Sequence, residues 1–182
     1  MSRICKRLSH VFVGLSLAMA LSAGAWADQH ISPRAQQRLE REVRHELAML
    51  PFYGVFDNLT FQVDGYAVRL SGQVTRPTLR YDAEQSVKGI EGVERVHNEI
   101  EVLPLSPHDD RIRMAVFRAL FFDGPLQRYA MQAVPPIHII VKGGHVTLEG
   151  VVANEGDKNM ANLLANRVPG LFSVTNKLRT EA

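Results

Sequence analysis

The feature that most constrains this 182-residue chain is that it repeats itself. Setting Val63 on Val141, an offset of 78 residues, pairs Gly65 with Gly143, Val68 with Val146, Leu70 with Leu148, Gly72 with Gly150 and Val74 with Val152. The same register pairs Ala83 with Ala161, Gly92 with Gly170, Val96 with Val174 and Asn98 with Asn176. Upstream the offset is 73 and pairs Arg38 with Arg111, Leu39 with Ile112, Val43 with Val116 and Leu47 with Leu120, so the second copy carries five extra residues in between. Internal similarity of this kind makes each copy one small structural unit.

Within the first copy, Leu39, Val43, Leu47 and Leu50 recur at helical spacing between Pro33 and Pro51, which predicts a helix over about 33–50. Leu59, Phe61 and Val63 alternate with polar residues, Asp64-Gly65 signals a hairpin, and Val68, Leu70 and Gly72 alternate again. Leu79, Ala83, Val87 and Ile90 return to helical spacing, and a last strand runs from Val96 to Val102. The second copy repeats the order, with helices over about 108–122 and 156–168 and strands over 137–142, 145–152 and 172–178. The fold class is therefore α+β, two tandem α-β-β-α-β domains over 33–103 and 108–180, each a three-stranded sheet packed by two helices. Leu103-Pro104-Leu105-Ser106-Pro107 supplies a short, semi-rigid linker, centred on 104–107.

Ahead of the repeat, Arg3, Lys6 and Arg7, an apolar run from Val11 to Leu21 and the Ala25-Trp26-Ala27 site read as a signal peptide over 1–27. The run is shorter than a spanning helix needs. Cys5 would leave with the signal, so the exported chain is expected to have no disulfide. Of 21 basic and 19 acidic residues, three basic and no acidic ones lie in 1–27, which leaves 18 against 19. That balance argues against nucleic acid as a partner.

The paired units carry a family resemblance. Gln62-Val63-Asp64-Gly65 to Gly72-Gln73-Val74, then Ala83 to Gly92-Val93 and Val96-His97-Asn98, resembles the BON domain, named for bacterial osmotically induced and nodulation proteins. Val141 to Val152, with Pro169-Gly170 and Val174-Thr175-Asn176, repeats the signature. The resemblance implies a periplasmic protein that associates with phospholipid at the envelope or assists other envelope proteins under stress. It brings no catalytic residues with it, since the matched glycines and valines are fold residues.

Enzyme chemistry has little support in the residues themselves. Histidines 30, 45, 97, 108, 138 and 145 lack zinc-motif spacing, and there is no nucleophile elbow, P-loop or dinucleotide fingerprint. Lys142-Gly143-Gly144-His145 reads as a hairpin turn, and Asp109-Asp110 as carboxylates at the positive end of a helix. Neither a cofactor nor a resident metal is expected. If the signal is cut after Ala27, however, Asp28-Gln29-His30 would present an amine and an imidazole suited to square-planar copper or nickel.

Function is sought where the copies differ. On the first helix of the second domain, Ile112, Val116 and Leu120 form the core stripe, and Met114, Phe117 and Phe121 form another roughly opposite. The first domain has Arg41, Arg44 and Ala48 at those outer positions. With Arg111, Arg113 and Arg118 beside it, the apolar stripe suits the headgroup boundary of an anionic membrane or an apolar segment of a client. Alternatively, the first domain or the longer loop from Phe122 to Pro136 covers the stripe. The loops from Pro51 to Phe56 and from Phe121 to Tyr129, both rich in aromatics, would close the core. The expected function is a periplasmic binding protein for anionic phospholipid or an envelope protein, attached peripherally. The alternative is a docking module or chaperone-like factor that does not bind lipid directly.

Overall fold

The computed structural model describes residues 31–122, 125–132 and 134–181. The leader segment and Asp28-Gln29-His30 lie outside the described residues.

Helix α1 (Pro33–Ala48) opens on Ser32, whose hydroxyl accepts from the Ala35 amide at 3.3 Å, and it buries Leu39, Val43 and Leu47. Strands β1 (Asn58–Asp64) and β2 (Ala67–Val74) form an antiparallel hairpin. Asp64 pairs with Ala67 across Gly65-Tyr66, and Gly65 holds a φ of 60°, the left-handed first position of a type II′ turn. Helix α2 (Pro77–Lys88) buries Leu79, Ala83 and Val87. Two short strands follow, β3 (Arg95–Asn98) and β4 (Glu101–Val102), both parallel to β2, so β1 forms one edge of the sheet.

The second copy runs α3 (Pro107–Phe121), a 3₁₀ helix (Pro125–Met131), β5 (Ile137–Lys142), β6 (His145–Val152), α4 (Glu155–Asn166), β7 (Ser173–Asn176) and β8 (Arg179–Thr180), with the same pairing. Each copy has its own apolar core, one around Leu39, Val68, Leu70 and Ile100, the other around Ile112, Val116, Ile139 and Leu148. No helix among the described residues is long and apolar enough to cross a membrane.

The last strand of each copy, expected to be continuous, is broken by a repeated asparagine. The Asn98 Oδ1 accepts from the Ile100 amide at 3.1 Å while its Nδ2 donates to the Arg80 carbonyl at 3.0 Å. Asn176 does the same with Leu178 and Lys158, at 3.1 and 2.8 Å. The kink ties strand to helix and turns Ile100 and Leu178 into the two cores, each 2% exposed. Gly72 and Gly150 are equally obligatory. Their φ values are 116° and 121°, and a Cβ there would lie 2.0 Å from the carbonyl oxygens of Asn58 and Pro136.

Asp109 does more than sit at a helix start. Its buried carboxylate accepts from the amides of Gly143 and Gly144, both at 2.8 Å, so α3 clamps the β5–β6 turn. Hydrogen bonds to a charged group contribute about 1.5–3 kcal/mol each, and a buried amide left alone is costly. Asp109→Ala should therefore lose about 3 kcal/mol of stability, read as a lower urea midpoint, and Asp109→Asn, which keeps one acceptor, should lose less. An unchanged midpoint for the alanine variant would show that the clamp contributes nothing.

Candidate functional site

The two copies meet through the loop between α1 and β1. The Val55 carbonyl accepts from the Ile139 amide of β5 at 2.7 Å, and Val55 and Phe56 pack onto the core of the second domain. Phe56 meets Phe117 edge-on with ring centroids 5.9 Å apart, and Tyr53 stacks on His138 at 5.7 Å. Asp57, buried beside them, accepts from the Thr75 amide and hydroxyl at 2.6 and 2.9 Å, which anchors the loop to the end of β2. This aromatic loop thus closes the neighbour's core as well as its own. Phe52, at the loop's exposed tip, has a φ of 67°, and the Arg76 guanidinium stacks over its ring at 4.8 Å.

The outer residues of α3 divide into two groups. Met114 is 42% exposed, Phe117 half-buried and Arg118 exposed, and Phe122, just past the helix, is 68% exposed. Together they line a depression of about 360 Å³. Arg111 lies exposed on an adjoining hollow shared with Met114 and Arg118. Phe121, expected on this surface, is 1% exposed and belongs to the second core with Leu126 and Tyr129. The reason is the 3₁₀ helix, which packs on the end of α3 and covers that side of it.

Arg113, also expected at the surface, is buried. Its Nη2 donates to the Val141 carbonyl at 2.8 Å and its Nη1 pairs with Asp110, which fixes the guanidinium against β5. Tyr129 shows what the five extra residues do. Its hydroxyl donates to Asp157 at 2.6 Å and accepts from the Ala153 amide at 2.9 Å, stitching the insertion to the start of α4. The sequence signals of this insertion are its aromatic content and its length. Its helical form carries no periodicity over so few residues.

A second candidate site is a cleft of about 1100 Å³ between the domains, lined along the whole of β1 and, opposite it, by His138, Glu149, Lys177 and Arg179. His138 is 8% exposed and its Nδ1 has no hydrogen-bond partner. Burial lowers its pKa below the ordinary histidine value, against a weaker opposing pull from the carbonyls of Asp57 and Gly54 and the charges of Asp57 and Glu149. Burial likewise raises the Tyr53 hydroxyl. No group of three or more histidine, cysteine or acidic side chains suited to a metal occurs among the described residues.

Two small α/β units, in contact through the α1–β1 loop and the Lys142–Glu101 ion pair, define a tandem α+β protein with surface hollows and an interdomain cleft. The chain belongs to the BON domain family, whose model matches residues 35–104 and 108–182. BON domains are binding domains rather than catalytic ones. No curated protein matches the chain. Among solved structures it is similar to the C-terminal domain of CdsD, a structural protein of the type III secretion system of Chlamydia trachomatis. That likeness has 12% identity and a TM-score of 0.31, over 79% of this chain and 98% of that one. A second CdsD structure gives 12% identity and a TM-score of 0.30, over 79% and 92%.

His138 makes the junction sensitive to acid. Its folded pKa lies below the unfolded one, so as pH falls the unfolded state takes up the proton first. The contribution to stability is full above the ordinary histidine value of about 6.5 and declines below it. Urea denaturation between about pH 7.5 and about pH 5.5 should show this slope, and His138→Phe, which keeps the stack on Tyr53, should flatten it. Parallel slopes for the two proteins would assign the acid sensitivity elsewhere.

Proposed function

We propose that the protein is an envelope-associated binding protein that attaches peripherally to anionic phospholipid through the end of α3. The observation that carries this reading is the grouping of exposed Met114 and Phe122 around half-buried Phe117, with Arg111 and Arg118 at the margin. Apolar side chains edged with arginine suit the boundary between headgroups and acyl chains. Full burial of one such side chain contributes about 1.5–3 kcal/mol, and one basic residue near an anionic surface about 1 kcal/mol. A contact of this size gives reversible binding that salt weakens. Family membership supports an envelope role, and the signal read in residues 1–27 supports export to the periplasm.

The structure also selects the variant that tests the reading. Phe121 is core, so replacing it would cost about 3–5 kcal/mol and confuse unfolding with loss of binding. Met114→Ser with Phe122→Ser alters the surface alone. In liposome flotation, the chain from residue 28 onward should rise with vesicles containing phosphatidylglycerol and remain below with neutral ones. Flotation should fall as salt shortens the Debye length from about 30 Å toward about 8 Å. The double variant, still folded by circular dichroism, should not float. Flotation of the variant equal to wild type, or none of either protein, would refute attachment through α3.

A further inference from the structure

The two copies differ in how far the outer edge of the sheet is partnered. In the β5–β6 hairpin Lys142 pairs with His145 across a two-residue turn, so alternate residues of β5 bond inward to β6. Ile137, Ile139 and Val141 therefore direct their main-chain groups outward, and the molecule itself partners two of them. The Ile139 amide donates to Val55, and the Val141 carbonyl accepts from Arg113, which Asp110 holds in place. The register of β1 is the same, with Asp64 opposite Ala67, so Leu59, Phe61 and Val63 direct theirs outward. The Leu59 amide reaches the Tyr53 hydroxyl at 3.4 Å. The amides and carbonyls of Phe61 and Val63 have no partner among the described residues. At the position equivalent to Arg113 stands Glu40, and at that of Asp110 stands Gln37, so the residues that latch the second edge are missing from the first.

We infer that the β1 edge receives an extended peptide segment of a partner protein as an added strand. The chemistry of the edge defines the occupant. Phe61 and Val63 each offer a donor and an acceptor in line, which an extended main chain matches. The second copy shows that such an outward group takes a main-chain partner, since the Val55 carbonyl, in the turn before β1, accepts from the amide of the equivalent edge residue, Ile139. The cleft favours a single strand over a second copy of the chain, because the second domain walls it with Glu149, Lys177 and Arg179. Side chains of the guest would alternate. On one side they would continue the row of Leu59, Phe61 and Val63, where the Arg44 guanidinium lies 5.5 Å over the Phe61 ring. On the other they would meet exposed Thr60 and Gln62 and the charged wall. The guest is therefore a segment apolar at every second residue and polar between, bound independently of any lipid on α3.

The test uses a phage-displayed library of seven-residue peptides, selected on the chain from residue 28 onward. Selected sequences should show the alternation, and synthetic copies should slow amide exchange at Phe61 and Val63. Two variants close the edge without touching the β1–β2 ladder. Val63→Pro removes an outward amide, and Glu40→Arg with Gln37→Asp transplants the latch of the second copy. Both should melt within a few degrees of wild type and bind the peptides roughly tenfold or more weakly, the loss expected for one main-chain hydrogen bond. Unchanged affinity in the latched variant, or protection confined to other strands, would overturn the proposal. So would failure of the library to enrich. A wild-type dimer in sedimentation that Val63→Pro disperses would assign the edge to a second copy instead.

Discussion

The hydrogen bond from the Ile139 amide to the Val55 carbonyl is where the two copies become one molecule. A sheet edge carries main-chain groups that must find water or a partner, and β5 is buried along its length from Ile137 to Val141. With water excluded, the amide depends on the first domain, and the rest of the junction is arranged around that dependence. Asp57 fixes the loop that supplies Val55, Phe56 fills the space beside Phe117, and Tyr53 covers His138. The buried, partnerless Nδ1 of His138 is what this close packing leaves behind.

Much of the fold could be read from the residues. The α-β-β-α-β order of each copy and the limits of β5 and β6 follow from apolar spacing, because period two and period three to four are set by burial on one side of each element. The break in the last strand was hidden because it depends on Asn98 and Asn176 bonding to helices distant in sequence, and spacing along one strand does not record that. The same limit governs the surface of α3. A helical wheel places Phe121 opposite the core, yet a wheel describes one helix in isolation and omits the 3₁₀ segment that packs on it. Arg113 was equally opaque. An arginine beside an apolar stripe has one sequence appearance whether it faces water or caps a strand carbonyl.

Comparison of the copies separates what the fold requires from what each copy adds. The matched glycines at 72 and 150 tolerate no Cβ, and the matched asparagines hold the strand break, so their recurrence is structural. The unmatched positions carry the individuality. Five added residues bring Leu126 and Tyr129 into the second core, and the change from Glu40 to Arg113 turns an open edge into a latched one. The copies have thus diverged in which surfaces stay available, one at the end of a helix and the other at the rim of a sheet.

The seating of Val55 on β5 also gives the order of synthesis a meaning. The first copy leaves the ribosome, and any export channel, before the second, and a unit of this size can form its own core without waiting. The loop that receives β5 is held by Asp57 and Thr75, both of which belong to the first copy. An apolar strand with a bare edge is among the most association-prone segments a nascent chain can expose. The earlier copy is thus the source of the carbonyl that the later copy's edge uses, and exchanging the two in sequence would reverse the order in which acceptor and donor are made.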